Sequence, residues 1–445
     1  MNIEQENLLV HRPSPGRRFL LYALFLVVLL DNLPNFGLGI GLGLSAKNLF
    51  LYFWLVLIAI RTVVGAKGIK FTDIDVHLPF LLLMGYAGLT WAILGIFEPS
   101  YSAFLGAIAF KNQLLDLFLL MFVFRYGVES QEDFVWLIRA AVMTVFITSI
   151  VVLIDFLNIP DLGLFGTHKG RAEGIVGAAN QYGALLAFCL PIGVAVMPRN
   201  RLTILYWVWR VAMFSSVAML ISTGSRGAYL AVVGGYVASA IYLRHYLNMK
   251  QVFQYSVVTM AVVAILTLGL ILYYPDLLTG RFEATVSGSL DTASAGRVQI
   301  WAATARVMLE WPYSLFVGYG WDSSEFSHIW KSAHNEYLDR FYELGSLGLI
   351  LFITLLVCVI TRVKKVLRTT QDMYRRILIG YTFGMLSVTV AIFFVQLPTT
   401  WSFVWAITGM VMGLQARLRE TPLRTHDESN AATDSRVISA TFRPT

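Results

Sequence analysis

The sequence is poor in cysteine and in charge. Only two cysteines, Cys189 and Cys358, occur in 445 residues, and both lie inside apolar runs. A disulfide framework and cysteine-type metal spacing are excluded, and both thiols are expected to pack as small hydrophobes. Charged residues make up 14% of the chain against 57% apolar, which argues against an ordinary soluble domain. There is no internal repeat, no low-complexity block, no nucleotide-binding fingerprint and no Gly-x-Ser-x-Gly elbow. The net charge of +7 is not gathered into a basic patch with interleaved aromatics, so no nucleic-acid partner is expected.

What remains is a series of long apolar runs. A helix needs about 20 apolar residues to cross the hydrocarbon core. Candidate spans lie near 19–40, 48–66, 77–97, 106–126, 134–157, 180–197, 203–222, 226–244, 252–273, 344–362, 376–396 and 400–418. The expectation is an all-α polytopic membrane protein with about 12 transmembrane helices. The first run follows Arg17-Arg18 but has no clean small-x-small cleavage site, and it reads as a retained span. Asp31, Lys111 and Asp116 fall within the first and fourth spans and make them the least regular.

Charge sets the orientation. With the N-terminus inside, the inner loops collect Arg12, Arg17, Arg18, then Arg61, Lys67, Lys70, then Arg125 and Arg139, then Arg199 and Arg201, then Arg244 and Lys250. The loop after the tenth span is the richest, from Arg362 to Arg376. This bias predicts both termini in the cytoplasm. Residues 1–18 form an inner tail and 19–273 carry spans 1–9. Residues 274–343 form an outer loop and 344–419 carry spans 10–12. The tail 420–445 is polar and expected to be disordered.

An outer loop of roughly seventy residues is uncommon unless it is functional. Within it, Val298, Trp301, Ala305 and Met308 recur at helical spacing. That predicts a helix over 297–310 lying along the membrane surface.

Basic residues on the outer side are exceptions to the charge bias. They are Lys169 and Arg171 in the segment 166–174, Arg226 in Ser225-Arg226-Gly227, and Arg281 and Arg297 in the large loop. A bare cation at the interface is costly, and a snorkelling contact with lipid is the plainer reading of any one of them. Several together, beside glycines that let backbone N–H groups approach a ligand, point to an anion site.

At the end of the loop stands Ser332-Ala-His334-Asn335-Glu336, directly before an apolar run. An imidazole there suits proton abstraction from a hydroxyl. Glu336, Asp339 and Glu343 are candidates to orient or tune it. The rival is a metal held by Asp322, Glu325, His328 and His334, whose spacing matches no tight metal signature. Asp73-Ile-Asp75 reads as a solvated inner loop.

His334-Asn335, nine residues, then Gly345-Ser-Leu-Gly348 resembles the His-[Asn/Ser/Gln]-x9-Gly-x-x-[Gly/Thr/Tyr] motif of the bacterial O-antigen ligases. Ser225-Arg226-Gly227 resembles the turn that opens the shared ligase/polymerase domain. Gly296-Arg297 with Trp301, Pro312 with Gly318-Tyr-Gly320, and Gly174 through Asn180 to Gly183 resemble its further signatures. The resemblance implies a GT-C-like fold and an inverting, metal-independent glycosyltransferase of the bacterial inner membrane, with a periplasmic active site and no cofactor. The donor would be O-antigen on undecaprenyl diphosphate and the acceptor lipid A–core, with membrane lipids around both and lipopolysaccharide as product. It implies His334 as base and Arg226, Arg297, Lys169 and Arg171 as diphosphate ligands. Asn335, Glu336, Gly345 and Gly348 would support them. An O-antigen polymerase, a protein oligosaccharyltransferase and an anion transporter stand as alternatives.

Overall fold

The computed structural model describes residues 15–33, 38–41, 43–64, 73–157, 167–168, 171–248, 296–323, 333–368 and 372–420, with isolated positions between them. The chain is an all-α polytopic membrane protein. Helix α1 (Pro15–Asp31) leads into a two-stranded hairpin, β1 (Gly39–Gly41) with β2 (Leu44–Ser45). The expected first span over 19–40 is thus shorter than its apolar run. The helix stops at Asp31, and the Gly-rich stretch beyond it turns into the hairpin.

Helices α2 (Ala46–Val64) and α3 (Ile74–Phe97) follow. Helix α4 (Ala103–Phe110) continues through a π-helical turn (Lys111–Leu115) into α5 (Asp116–Tyr126). Next come α6 (Gln131–Phe156), a short hairpin of β3 (Thr167–His168) with β4 (Arg171–Ala172), α7 (Ala179–Val196), α8 (Ile204–Ser222) and α9 (Arg226–Tyr242). The expected span at 252–273 lies outside the described residues, as do Arg281 and the tail 421–445. Helix α10 covers Arg297–Glu310, the limits that apolar spacing predicts, and α11 (Ser314–Val317) is a single turn. Helices α12 (Glu336–Leu367), α13 (Asp372–Ala391) and α14 (Thr400–Glu420) complete the described chain.

Among the described residues, seven helices, counting α4 through α5 as one, are long and apolar enough to cross a membrane. They are α2, α3, α4–α5, α6, α7, α8 and α12. Helices α1, α9, α13 and α14 are shorter or less apolar but pack into the same bundle. Helix α7 is central, while α2 and α3 expose much of their apolar surface. Close packing depends on small residues, since lipid gives no hydrophobic drive between helices. Gly380 and Gly384 of α13 face the backbone of α7 at Pro191 and Phe188, and Gly409 and Gly413 of α14 face Met121 and Phe134.

The two ends of the bundle differ. At one end, Asp73 is fully buried and accepts from Arg125 and Arg362, while Arg362 also reaches Asp75 and Gln415. Asp73 is therefore a buried lock between α3, α5 and α12, and the reading of Asp73-Ile-Asp75 as a solvated loop is corrected. At the other end, the charges that make spans one and four irregular are all paired, Asp31 with Lys47 of α2 and Lys111 with Asp116. Lys47 lies 3.5 Å from Asp31, and Lys111 lies 3.0 Å from Asp116. Asn48 donates to Asp116 at 2.6 Å. Charges buried in a membrane protein persist when paired in this way.

Candidate functional site

The second end gathers most of the residues singled out from sequence. Three helices begin there in the same neighbourhood. Arg226 is the first residue of α9, Arg297 the first of α10, and His334 stands two residues before α12. Each helix start leaves N–H groups without intrahelical partners and carries the positive end of the macrodipole. Ser225 caps α9 by accepting from Ala228 N, and Asn335 caps α12 by accepting from Leu338 N at 3.1 Å.

Specific contacts join these starts. Trp301, one turn after Arg297 on the same face of α10, donates from Nε1 to the Ala333 carbonyl at 2.8 Å. Its ring meets Phe393 edge-on, with centroids 5.7 Å apart, and Phe393 packs on Phe394. Gly227 lies against Phe394 so closely that a Cβ would stand 2.7 Å from the Phe394 Cβ. The Glu336 N–H donates to the Ile392 carbonyl at 2.8 Å. The turn after α13 is therefore a common floor for α9, α10 and α12. Arg171 joins from the side, donating to the Thr223 carbonyl and to Asn180, both at 2.6 Å. It ties β4 and the start of α7 to the turn that presents Arg226. Lys169 lies outside the described residues.

Electrostatics agree with this closeness. The guanidinium of Arg297 is held below its ordinary pKa, first by burial and then by the neighbouring Arg226 cation. Two cations are thus kept together in a partly dehydrated place, which an anion between them would relieve.

His334 is exposed and has a φ of 50°, in the left-handed region. Such a backbone costs on the order of 1–3 kcal/mol and persists where its flanks fix it. On one flank, the Ala333 N–H is held by Asp339 Oδ1 at 3.1 Å, and Asp339 Oδ2 accepts from Gln396 at 2.5 Å. On the other, Asn335 is fixed as the cap.

Asn335 and Glu336, the supporting residues next to His334, both serve the helix start. Asn335 caps α12. Glu336 pairs with Arg340 at 2.7 Å and accepts from Leu397 N. Arg340 also holds Glu343 at 2.8 Å, reaches Gln113 within the π turn, and lies over the Trp321 ring. Gly345 has a φ of 63° and bends α12, and a Cβ there would overlap the Phe316 backbone. Tyr319 N and Gly320 N donate to the carbonyls of Tyr342 and Glu343 across the same contact. The Gly-x-Gly segment and Gly345 are therefore two sides of one backbone-to-backbone approach. Gly348 is buried one turn further on.

Sequence reasoning named Asp339 beside His334 but missed Gln396 and Arg340 as parts of this scaffold. The available signal was charge at the start of a membrane helix, which is retained only when partnered. Among the described residues, no group of three or more His, Cys, Asp and Glu is placed to hold a metal ion. Glu325 and His328 lie outside those residues.

The comparisons with known proteins bear on the same part of the chain. Residues 211–353 match the model of the family described as O-antigen ligase. That segment, similar to the O-antigen ligase family, includes Arg226, Arg297, Trp301, His334, Gly345 and Gly348. No curated protein matches the chain.

Proposed function

We propose that this membrane protein is an O-antigen ligase. It transfers O-antigen glycan from undecaprenyl diphosphate to a sugar hydroxyl of lipid A–core on the periplasmic face of the bacterial inner membrane. The observation that carries the reading is the meeting of Arg226, Arg297 and the His334 turn at three helix starts. Both substrates are amphiphiles, so chemistry at a membrane boundary suits them. The orientation follows the basic loops, which place the Asp73 end in the cytoplasm. Twelve crossings, a GT-C-like bundle with both termini inside, follow if α1, α9, α13, α14 and the segment 252–273 also span.

In this mechanism His334 accepts the proton of the acceptor hydroxyl. The hydroxyl oxygen forms a bond to the anomeric carbon from the face opposite the leaving group, which inverts the configuration. The bond from that carbon to the phosphate oxygen breaks, and its electron pair leaves with undecaprenyl diphosphate. Arg226 and Arg297 stabilise the charge that develops on the leaving group, aided by N–H groups of the helix starts. Arg171 supports the Arg226 turn, and Lys169 is a further candidate ligand. Two arginines supply the positive charge that a divalent ion otherwise provides, so activity is expected to survive EDTA. A loss restored by added divalent ion would refute that.

The matched superfamily also contains polymerases, whose acceptor is a second lipid-linked glycan. The test is transfer by purified protein with one defined donor and two acceptors in separate reactions. A ligase elongates lipid A–core. Product only on the second lipid-linked glycan would make the chain a polymerase.

A further inference from the structure

The arginines at the Asp73 end are not all accounted for by its ion pairs. Arg139 of α6, Arg199 after α7 and Arg376 of α13 stand close enough that the charges of Arg199 and Arg139 act on Arg376. Among the described residues, none of the three forms an ion pair. Asp372, one turn before Arg376, is the acid that acts on it, and Glu132 nearby acts on Tyr374.

The cluster is built rather than loose. Arg139 Nε donates to the Val196 carbonyl at the end of α7 at 3.1 Å, and its Nη2 lies 3.8 Å from the Met373 sulfur. Both contacts are with uncharged partners. The Arg376 Nε atom is buried and, among the described residues, has no hydrogen-bond partner. An unmet buried donor is unfavourable, and an acceptor supplied by a ligand would satisfy it. The first turn of α13 points its free N–H groups toward the same end of the bundle. Cations from three places, one buried donor without an acceptor and a helix start together form a receptor for an oxyanion.

The surroundings specify the carrier of that oxyanion. Beside Arg199, Leu202 is 94% exposed and Ile204 83% exposed, with Val194 and Leu205 also open. A free phosphate has no use for apolar surface, whereas the acyl chains of a lipid do. Basic pockets between helices on the cytoplasmic side suit anionic headgroups.

We propose that Arg139, Arg199 and Arg376 bind the phosphate of an anionic phospholipid at the end of the bundle opposite the His334 site. The guanidinium groups hold the phosphate oxygens where α6, α7 and α13 meet, and the acyl chains lie along Val194, Leu202 and Ile204. This site is independent of the transfer chemistry.

The test is native mass spectrometry of the full chain in detergent, with phosphatidylglycerol, phosphatidylcholine or inorganic phosphate added. Wild type should retain phosphatidylglycerol about tenfold more than phosphatidylcholine. Arg139→Gln with Arg376→Gln should abolish the preference, and Arg199→Gln alone, at an exposed position, should reduce it. Arg201→Gln, in the same loop but outside the cluster, should keep it. Equal retention of both lipids by wild type, or an unchanged preference in folded Arg199→Gln and the double variant, would overturn the proposal. Inorganic phosphate displacing the lipid from wild type supports the shared phosphate grip. Phosphate binding without any lipid preference would overturn the lipid assignment.

Discussion

At the Asp73 end of the bundle, Arg125 and Arg362 lie against buried carboxylates, and each has its charge answered within the chain. At the His334 end, the charged neighbour acting on Arg297 is another arginine, Arg226. Both pairs of arginines sit at the boundary of an apolar bundle, where unmet charge is costly. The difference separates two uses of the same side chain. A cation locked to an acid holds helices together, and removing either partner leaves a buried charge. A cation held beside a cation stores an unfavourable interaction that an anionic ligand removes. The first arrangement explains stability and the second points to function.

The comparison can be broken from either side. The largest effect is expected at His334. His334→Ala should lower transfer by about 10²–10⁴-fold, the range for loss of a general base. It should leave the amount of folded protein unchanged, because the side chain is exposed. Initial rates with purified donor and acceptor lipids measure this, and a rate within a few-fold of wild type would remove the base role.

Next come Arg226→Ala and Arg297→Ala. Each should reduce the rate by about 10²–10³-fold and weaken donor binding. Removing Arg297 should also leave the fold as stable as before or slightly more so, since it relieves repulsion with Arg226. Thermal unfolding read together with rates tests both halves of that statement.

The Asp73 end should respond in the opposite sense. Arg362→Ala should destabilise the fold by about 1–3 kcal/mol, because Asp73 keeps Arg125 but loses its second cation and Gln415 loses its donor. The rate per folded molecule should stay near wild type. A stable but inactive Arg362→Ala protein would contradict the division between the ends.

The smallest effect is expected at Asn335. Asn335→Ala removes a helix cap and should cost about 0.5–2 kcal/mol, read by thermal unfolding. Asn335→Ser or Asn335→Asp should restore most of it.

The sequence was most legible where the physics is local. The α10 limits follow from apolar residues at helical spacing, and the turn at Arg226 follows from Ser and Gly between two apolar runs. His334 stood out because little else in so apolar a chain can titrate. Long-range pairing was not legible. Asp73 looks solvated until Arg125, 52 residues away, and Arg362, 289 residues away, are brought to it. The link between Arg297 and His334 runs through a Trp301 hydrogen bond across 32 residues. The first span was read too long because the apolar run continues past Asp31 into a hairpin, and hydropathy does not mark a turn. Glu336 looked available to the imidazole, and only the packed helix start shows that Arg340 takes it.

The central claim is that the Arg226–Arg297 pair holds a lipid diphosphate while His334 activates the acceptor. The most direct measurement compares donor binding and transfer in His334→Ala and Arg297→Ala proteins, using undecaprenyl-diphosphate-linked glycan and lipid A–core. The account predicts that His334→Ala binds donor as wild type does and fails to transfer, whereas Arg297→Ala loses donor affinity. Equal donor binding by Arg297→Ala and wild type, with transfer intact in both variants, would contradict it.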